Sequence, residues 1–329
     1  MTAPTVDAVR TAVPAPLRGV VTALVASLLF AVNGTVSKTV LESGLSSLRL
    51  VELRSLGAAV CLLAAVAVLR PRALRVAPRE LAFLAGAGIV GIGLVQWLYF
   101  VAIGRLPVGI ALLLEYLAPV LVVVWVRFVR GEQVRRRLWA ALALSVSGLV
   151  VVGQVWQGLR LDGLGVLAGL GAAVSLAAYY LTSERGLGRR DPLSLAAWTF
   201  TAAAVFWSVL QPWWTFPWAD LTRGVGVPGP LPDAVVPAWL LVGWVVVLGT
   251  VVPYGLILLA LRSLGSARTG LLGMAEPVLA GAVAWVVLGE ALSGVQLVGA
   301  AVVLTGILLA ETARQTHPAV EPVPEGVVP

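Results

Sequence analysis

Hydrophobic residues in this chain do not alternate with polar ones as in a half-buried strand, nor recur at three- and four-residue steps as on a surface helix. They fill long runs, and the polar residues gather in the short stretches between them. Ten runs can be traced, at roughly 20–40, 48–69, 81–103, 109–129, 138–155, 163–182, 193–212, 238–261, 269–288 and 293–310. About 20 apolar residues make a helix long enough to cross the hydrocarbon core of a bilayer. The pattern predicts an all-α integral membrane protein with ten transmembrane helices. The first run is too long for a signal-peptide core and shows no small-residue cleavage site, so it counts as a span. Residues 1–16 and the proline-rich 311–329 read as disordered tails.

Composition agrees with a lipid environment. Of 329 residues, 59% are hydrophobic and 12% charged, with a mean hydropathy of +0.97. That charge is about half the share found in soluble domains. The net charge of +7 would suggest nucleic acid only if the arginines formed a face. Instead they mark topology. With ten spans and both termini in the cytoplasm, 17 of the 23 basic residues fall on the cytoplasmic side, as the positive-inside rule requires. Lys38, Arg49, Arg54, Arg105, Arg160 and Arg223 are the exceptions. Trp213, Trp214 and Trp218 follow the seventh run, as an interfacial aromatic belt would. The expected location is the cytoplasmic membrane, with the lipid bilayer as partner.

The chain repeats itself. Shifted by 158 residues, APVLVVVWVRFVRGEQ from Ala118 lies over EPVLAGAVAWVVLGEA from Glu276. Pro119 meets Pro277, and Gly131-Glu132 meets Gly289-Glu290 without a gap; upstream, Gly91 meets Gly249. This divides the chain into a first repeat at 17–155 and a second at 156–310. Each holds five runs, an odd number, so the second copy enters the membrane from the opposite side. Inverted repeats about a midplane site are a secondary-transporter device.

The sequence resembles the EamA family of the drug/metabolite transporter superfamily. The resemblance is carried by GLSSLRLVELRSLGAAV (44–60), APVLVVVWVRFVRGE (118–132), DPLSLAAWTFTAAAV (191–205) and EPVLAGAVAWVVLGE (276–290). It implies ten helices, cytoplasmic termini and export or exchange of small metabolites by alternating access. The first copy departs from the family pattern, with Arg127 and Arg130 where apolar residues are expected, and the fourth span is expected to end early.

Polar residues inside the runs are the candidates for contact with cargo, because an ionisable group at the bilayer centre costs about 3 kcal/mol. Glu276 lies about 12 Å into its run at 1.5 Å per residue, beside Pro277, which removes a backbone hydrogen bond. It reads as a cargo- or proton-binding carboxylate, or as a paired structural one. Asn33, Gln96, Tyr99, Tyr180, Trp198 and Tyr254 join it as candidate substrate contacts; Gln96 and Tyr254 are equivalent in the repeat. Glu115, Glu52, Arg54 and Lys38 share a depth in the outer leaflet, either as a structural ion-pair cluster or as a gate. Pro119, Pro253 and Pro277 are the expected helix breaks.

Other functions fit poorly. A single Cys61 and a single His317, in the tail, leave no metal set and no nucleophile–base pair. No phosphate-binding GxxxxGK[ST] motif is present. An intramembrane enzyme or a scaffold is thus disfavoured, and no cofactor is expected. The first run of each half lacks Asp and Glu, which argues against the first-helix carboxylate of small multidrug-resistance relatives. Multidrug or cationic efflux stays open through Glu276. The reading is a secondary transporter exporting amino acids or related compounds, with the proton as candidate coupling ion, acting as a monomer or homodimer.

Overall fold

The computed structural model describes residues 15–41, 43–103, 105–106, 108–154, 162–226, 235–288 and 293–312. The tails, Gly289-Glu290 and the side chain of Lys38 lie outside the described residues. Within them the chain is predominantly helical, in the order α1 (Ala15–Leu41), α2 (Ser47–Leu69), α3 (Pro78–Gly88), α4 (Val95–Ile103), α5 (Val108–Glu115), α6 (Ala118–Phe128), α7 (Arg136–Val152), α8 (Gly163–Leu187), α9 (Pro192–Leu210), α10 (Trp218–Thr222), α11 (Ala238–Val246), α12 (Val252–Leu264), α13 (Ser266–Gly273), α14 (Glu276–Leu288) and α15 (Gly294–Thr312). Counting α3–α4, α5–α6 and α11–α13 as continuous, seven of the described helices are long and apolar enough to cross a membrane. Large apolar side chains such as Val68 and Val209 stand 81% and 75% exposed on the bundle's outside, where in water they would be a liability and in lipid they are at home. The protein is a multi-pass membrane protein.

One correction to a purely helical reading lies between α9 and α11. There β1 (Gly224–Gly226) pairs antiparallel with β2 (Val235–Pro237). Next to this ribbon Trp213, Phe216 and Trp218 pack on one another, with ring centroids 4.6–6.2 Å apart. An apolar-run criterion passes over this link because its strands are three residues each and the link is rich in Gly and Pro.

The 158-residue shift found in the sequence recurs in the backbone. A wide π-helical turn at Ile89–Leu94 joins α3 to α4, and another at Val247–Val251 joins α11 to α12. Pro253 follows the second, but Val95 holds the matching place in the first, so proline is not what widens the helix. The helix α5 stops at Glu115 and α6 starts at Ala118; in the same register α13 stops at Gly273 and α14 starts at Glu276. Both stops are tightened by the same bonds, Leu117 N to Leu114 O and Ala275 N to Leu272 O, each 3.1 Å. Pro119 and Pro277 sit in the first turn after each stop, where a missing N–H costs nothing. As expected from Arg127 and Arg130, α6 ends at Phe128, short of the point matching the end of α14.

Two long helix pairs, α2 with α9 and α7 with α15, pack antiparallel. Arg49, near the start of α2, bonds Pro212 O and Thr215 just beyond the end of α9, while Arg70 after α2 meets Asp191 just before α9. Along α7 and α15 small residues let the backbones touch: a Cβ on Gly299 would lie 2.7 Å from Val152 N, and one on Gly306 2.7 Å from Ala141 O. Membrane helices associate through such close approach because lipid offers no hydrophobic drive. Further contacts join α1 to α12 and α4 to α8.

Candidate functional site

The two helix stops meet in the middle of the bundle. Gly270 of α13 lies against Pro119 of α6, where a Cβ would stand 3.6 Å from the ring. Tyr116, in the first stop, directs its phenol to the Glu276 carboxylate at the second. Glu276 opens α14, where the positive end of the helix dipole favours a carboxylate. Glu115 ends α5, where the dipole opposes it, and its charge also feels that of Glu276. Tyr99 and Tyr180 border both carboxylates. Glu115 and Glu276 each keep part of their surface accessible, and neither makes an ion pair among the described residues.

Arg54 faces this centre from α2. It is 8% exposed, and it is held by the π turn of the opposite half. Its Nε donates to Thr250 Oγ1 at 3.2 Å and its Nη2 to Gly249 O at 3.3 Å. A π turn leaves its backbone groups less completely engaged than a regular helix does, which makes a carbonyl available to a side chain. Thr250 in turn donates to Val245 O at 2.8 Å. Asn33 of α1 packs on the same turn, so closely that a Cβ on Gly249 would lie 2.0 Å from its Oδ1. At the matching place in the other half, Tyr179 of α8 closes on Gly91.

Gln96 and Tyr254, equivalent in sequence, neighbour one another in space. Tyr254 is also ringed by Phe30, Tyr179 and Phe200, with centroids 5.3, 5.6 and 4.9 Å away. The Gln96 amide, 6% exposed, has no hydrogen-bond partner among the described residues. Trp198 packs on the same core cluster with its indole Nε1 unpartnered, but no contact ties it to the carboxylates.

The expected outer cluster divides. Glu52 pairs with Arg49 at 2.7 Å, and Arg49 lies over Phe216 at 5.6 Å, so both belong to the ribbon end. Arg54 and Glu115 belong to the centre. Tyr116 and Thr250 escaped the sequence reading. Tyr116 had a signal, since it lies beside Glu115 in the residues that interrupt a mirrored helix.

The sequence profile of the EamA-like transporter family matches residues 17–154 and again 163–312. The chain belongs to this family. It is a transporter of small metabolites, and its EamA relatives are transporters too. The threonine/homoserine exporter RhtA of Salmonella typhimurium is 28% identical over 236 residues, 70% of this chain and 72% of that protein. An uncharacterized transporter of Archaeoglobus fulgidus is 28% identical over 215 residues, covering 64% and 70%. YwfM of Bacillus subtilis, also an uncharacterized transporter, is 25% identical over 227 residues, covering 69% and 72%. A solved crystal structure with 21% identity shares the fold, with a TM-score of 0.72 over 89% of this chain and 96% of that one. The two EamA matches bracket the two helix stops, one in each matched segment.

Proposed function

We propose that this EamA-like protein exports amino acids or closely related metabolites across the cytoplasmic membrane by alternating access. Ten spans, arranged as inverted repeats at 17–155 and 156–310, would place both termini in the cytoplasm. The reading rests above all on the meeting of two helix stops that bring Glu276 and Glu115 together without an ion pair among the described residues. The antiparallel course of α2 with α9 and of α7 with α15 supports inversion. Similarity to threonine/homoserine exporters supports the cargo class. In this scheme Glu276 binds the cargo's ammonium or an exchanged proton, Tyr116 orients it, and Gln96, Tyr99, Tyr180 and Tyr254 line the path.

The test is uptake of labelled threonine and homoserine into everted vesicles under an imposed pH gradient. Wild type should accumulate them, and Glu276→Gln, which keeps size but removes charge, should not. Equal, equally pH-dependent uptake in both would leave Glu276 a structural role. Topology has its own check. In a Cys61→Ala background, Ala73→Cys and Gln133→Cys should resist an impermeant thiol reagent in intact cells; labelling of either would sink the ten-span scheme. A second reading, efflux of cationic compounds, draws on one observation: two carboxylates lie together at the centre, neither with an ion pair among the described residues. A cationic dye moved faster than threonine in the same vesicles would favour it.

A further inference from the structure

The centre of the bundle holds a cation as well as two carboxylates, and the way that cation is held is unusual. Arg54 has no carboxylate within 4.0 Å of its guanidinium among the described residues. Its contacts are neutral, to a threonine hydroxyl and a backbone carbonyl. They use Nε and Nη2 and fix the plane of the fork. Nη1 makes no hydrogen bond to a described residue and is not sealed from contact. Glu276 is near enough for the two charges to feel each other, yet outside ion-pair distance.

Half-buried arginines elsewhere in this molecule are treated differently. Arg190 is bonded to Glu80, Ser194 and the carbonyls of Ala73 and Arg75, and Arg49 to Glu52. A buried charge without a counter-charge is costly, and inside a membrane such a residue marks a binding path. The guanidinium fork is shaped for a carboxylate and binds it at two points. Glu276, whose charge Arg54 feels, lies beside Glu115, and neither carboxylate makes an ion pair among the described residues. A positive fork and a negative pair, held apart by the protein, complement a molecule that carries an anion and a cation a few bonds apart.

We propose that Arg54 is the specificity-determining anchor for a carboxylate on the cargo, so that the site selects zwitterions with adjoining carboxylate and ammonium groups over simple amines. This rests on the reading above that the central site binds amino acids, and it adds which group each side holds. The π turn at Val247–Val251 is then a positioning element, because Gly249 O and Thr250 Oγ1 aim the fork. It also makes recognition span both halves of the protein, since Arg54 comes from the first half and its support and Glu276 from the second.

The test uses the full-length protein reconstituted in sealed liposomes, with protein-free liposomes as the leak control. Three probes are compared: L-threonine, L-threonine amide, which keeps the ammonium and loses the carboxylate, and N-acetyl-L-threonine, which keeps the carboxylate and loses the ammonium. Wild type should move threonine at least about 10-fold faster than the amide, the discrimination expected from losing one charge-assisted hydrogen-bonded contact. Arg54→Gln should lower threonine flux while leaving the small amide flux unchanged, closing the ratio toward one. Arg54→Lys, which restores charge without the fork, should recover part of it. An equal ratio in wild type and Arg54→Gln would overturn the assignment and make Arg54 a pin for the π turn. Should Arg54→Gln fail to insert, wild type alone decides: threonine and amide moved equally well overturns the anchor. Wild type that moves none of the three probes refutes amino-acid export itself, and the anchor with it.

Discussion

Charged residues at the ends of the bundle and charged residues at its centre follow opposite rules. At the arginine-rich end, Arg190 ties the 71–75 turn and Glu80 to the start of α9. Glu184 of α8 accepts from Ser266 N and Oγ at 2.9 and 3.0 Å and from Arg130 at 2.5 Å. At the ribbon end Arg49 joins Glu52, Thr215 and Pro212. Each of these side chains is pinned by several partners from different helices. At the centre Arg54, Glu115 and Glu276 lie among aromatic rings with no ion pair among the described residues. Water can solvate the ends, so saturating their charges is a matter of holding helices together. The centre lies within the membrane-spanning bundle, where an ionisable group is costly and marks a functional path.

The largest contrast should come from Glu276→Gln. Transport is expected to fall by about 100-fold, the scale of a lost buried charge interaction, while thermal stability in detergent stays equal or rises. A fall in melting temperature matching the loss of flux would erase the distinction between centre and end. Arg190→Ala should do the reverse. It removes the partner of Glu80, while Ala73 O keeps its bond from Ser194 Oγ at 3.0 Å, so stability should drop by about 1–2 kcal/mol, and flux per folded molecule should stay within about 2-fold. A thermal scan beside a transport assay normalised to folded protein reads both. Gly148→Val probes a contact with no charge at all. A Cβ there would meet Val303 N at 2.7 Å and Gly299 O at 2.8 Å, so a cost of about 1–3 kcal/mol from forced separation of α7 and α15 is expected. Normal melting would show that these helices slide freely against each other. The smallest effect belongs to Arg223→Ala. Its ion pair with Asp220 at 3.1 Å is made by a side chain 60% exposed, and such pairs contribute about 0–1 kcal/mol. A larger loss would mean that its bond to Ser43 O holds the ribbon end together.

Some of this was legible along the chain. Pro119 and Pro277 lie in the first turn after the two helix stops, and the same shift of 158 residues relates the π turns and the starts of α7 and α15. The departure at Arg127 and Arg130 foretold the short α6. The π turns themselves were not foreseen, because a wide turn needs no special residue: one precedes Pro253, the other Val95. The ribbon was passed over because three-residue strands are too short to show a period.

The pairing of charges was the main thing misjudged, and part of the answer was available. Glu52 and Arg54 are two residues apart, about 200° around a helix at 3.6 residues per turn, so they could not share a face. Arg49 and Glu52, three apart, could. Spacing within α2 therefore separates the two carboxylate–arginine sets, but it cannot name the partners across helices. Hydropathy and proline are local or periodic properties, written in consecutive residues, and they mark the helices and where they stop. Which helix face meets which depends on contacts between residues far apart in the chain, such as Arg54 and Gly249 or Tyr116 and Glu276. Only the packed bundle decides those, because burial, and with it the cost of leaving a charge unpaired, is a property of the assembled helices and not of any one of them.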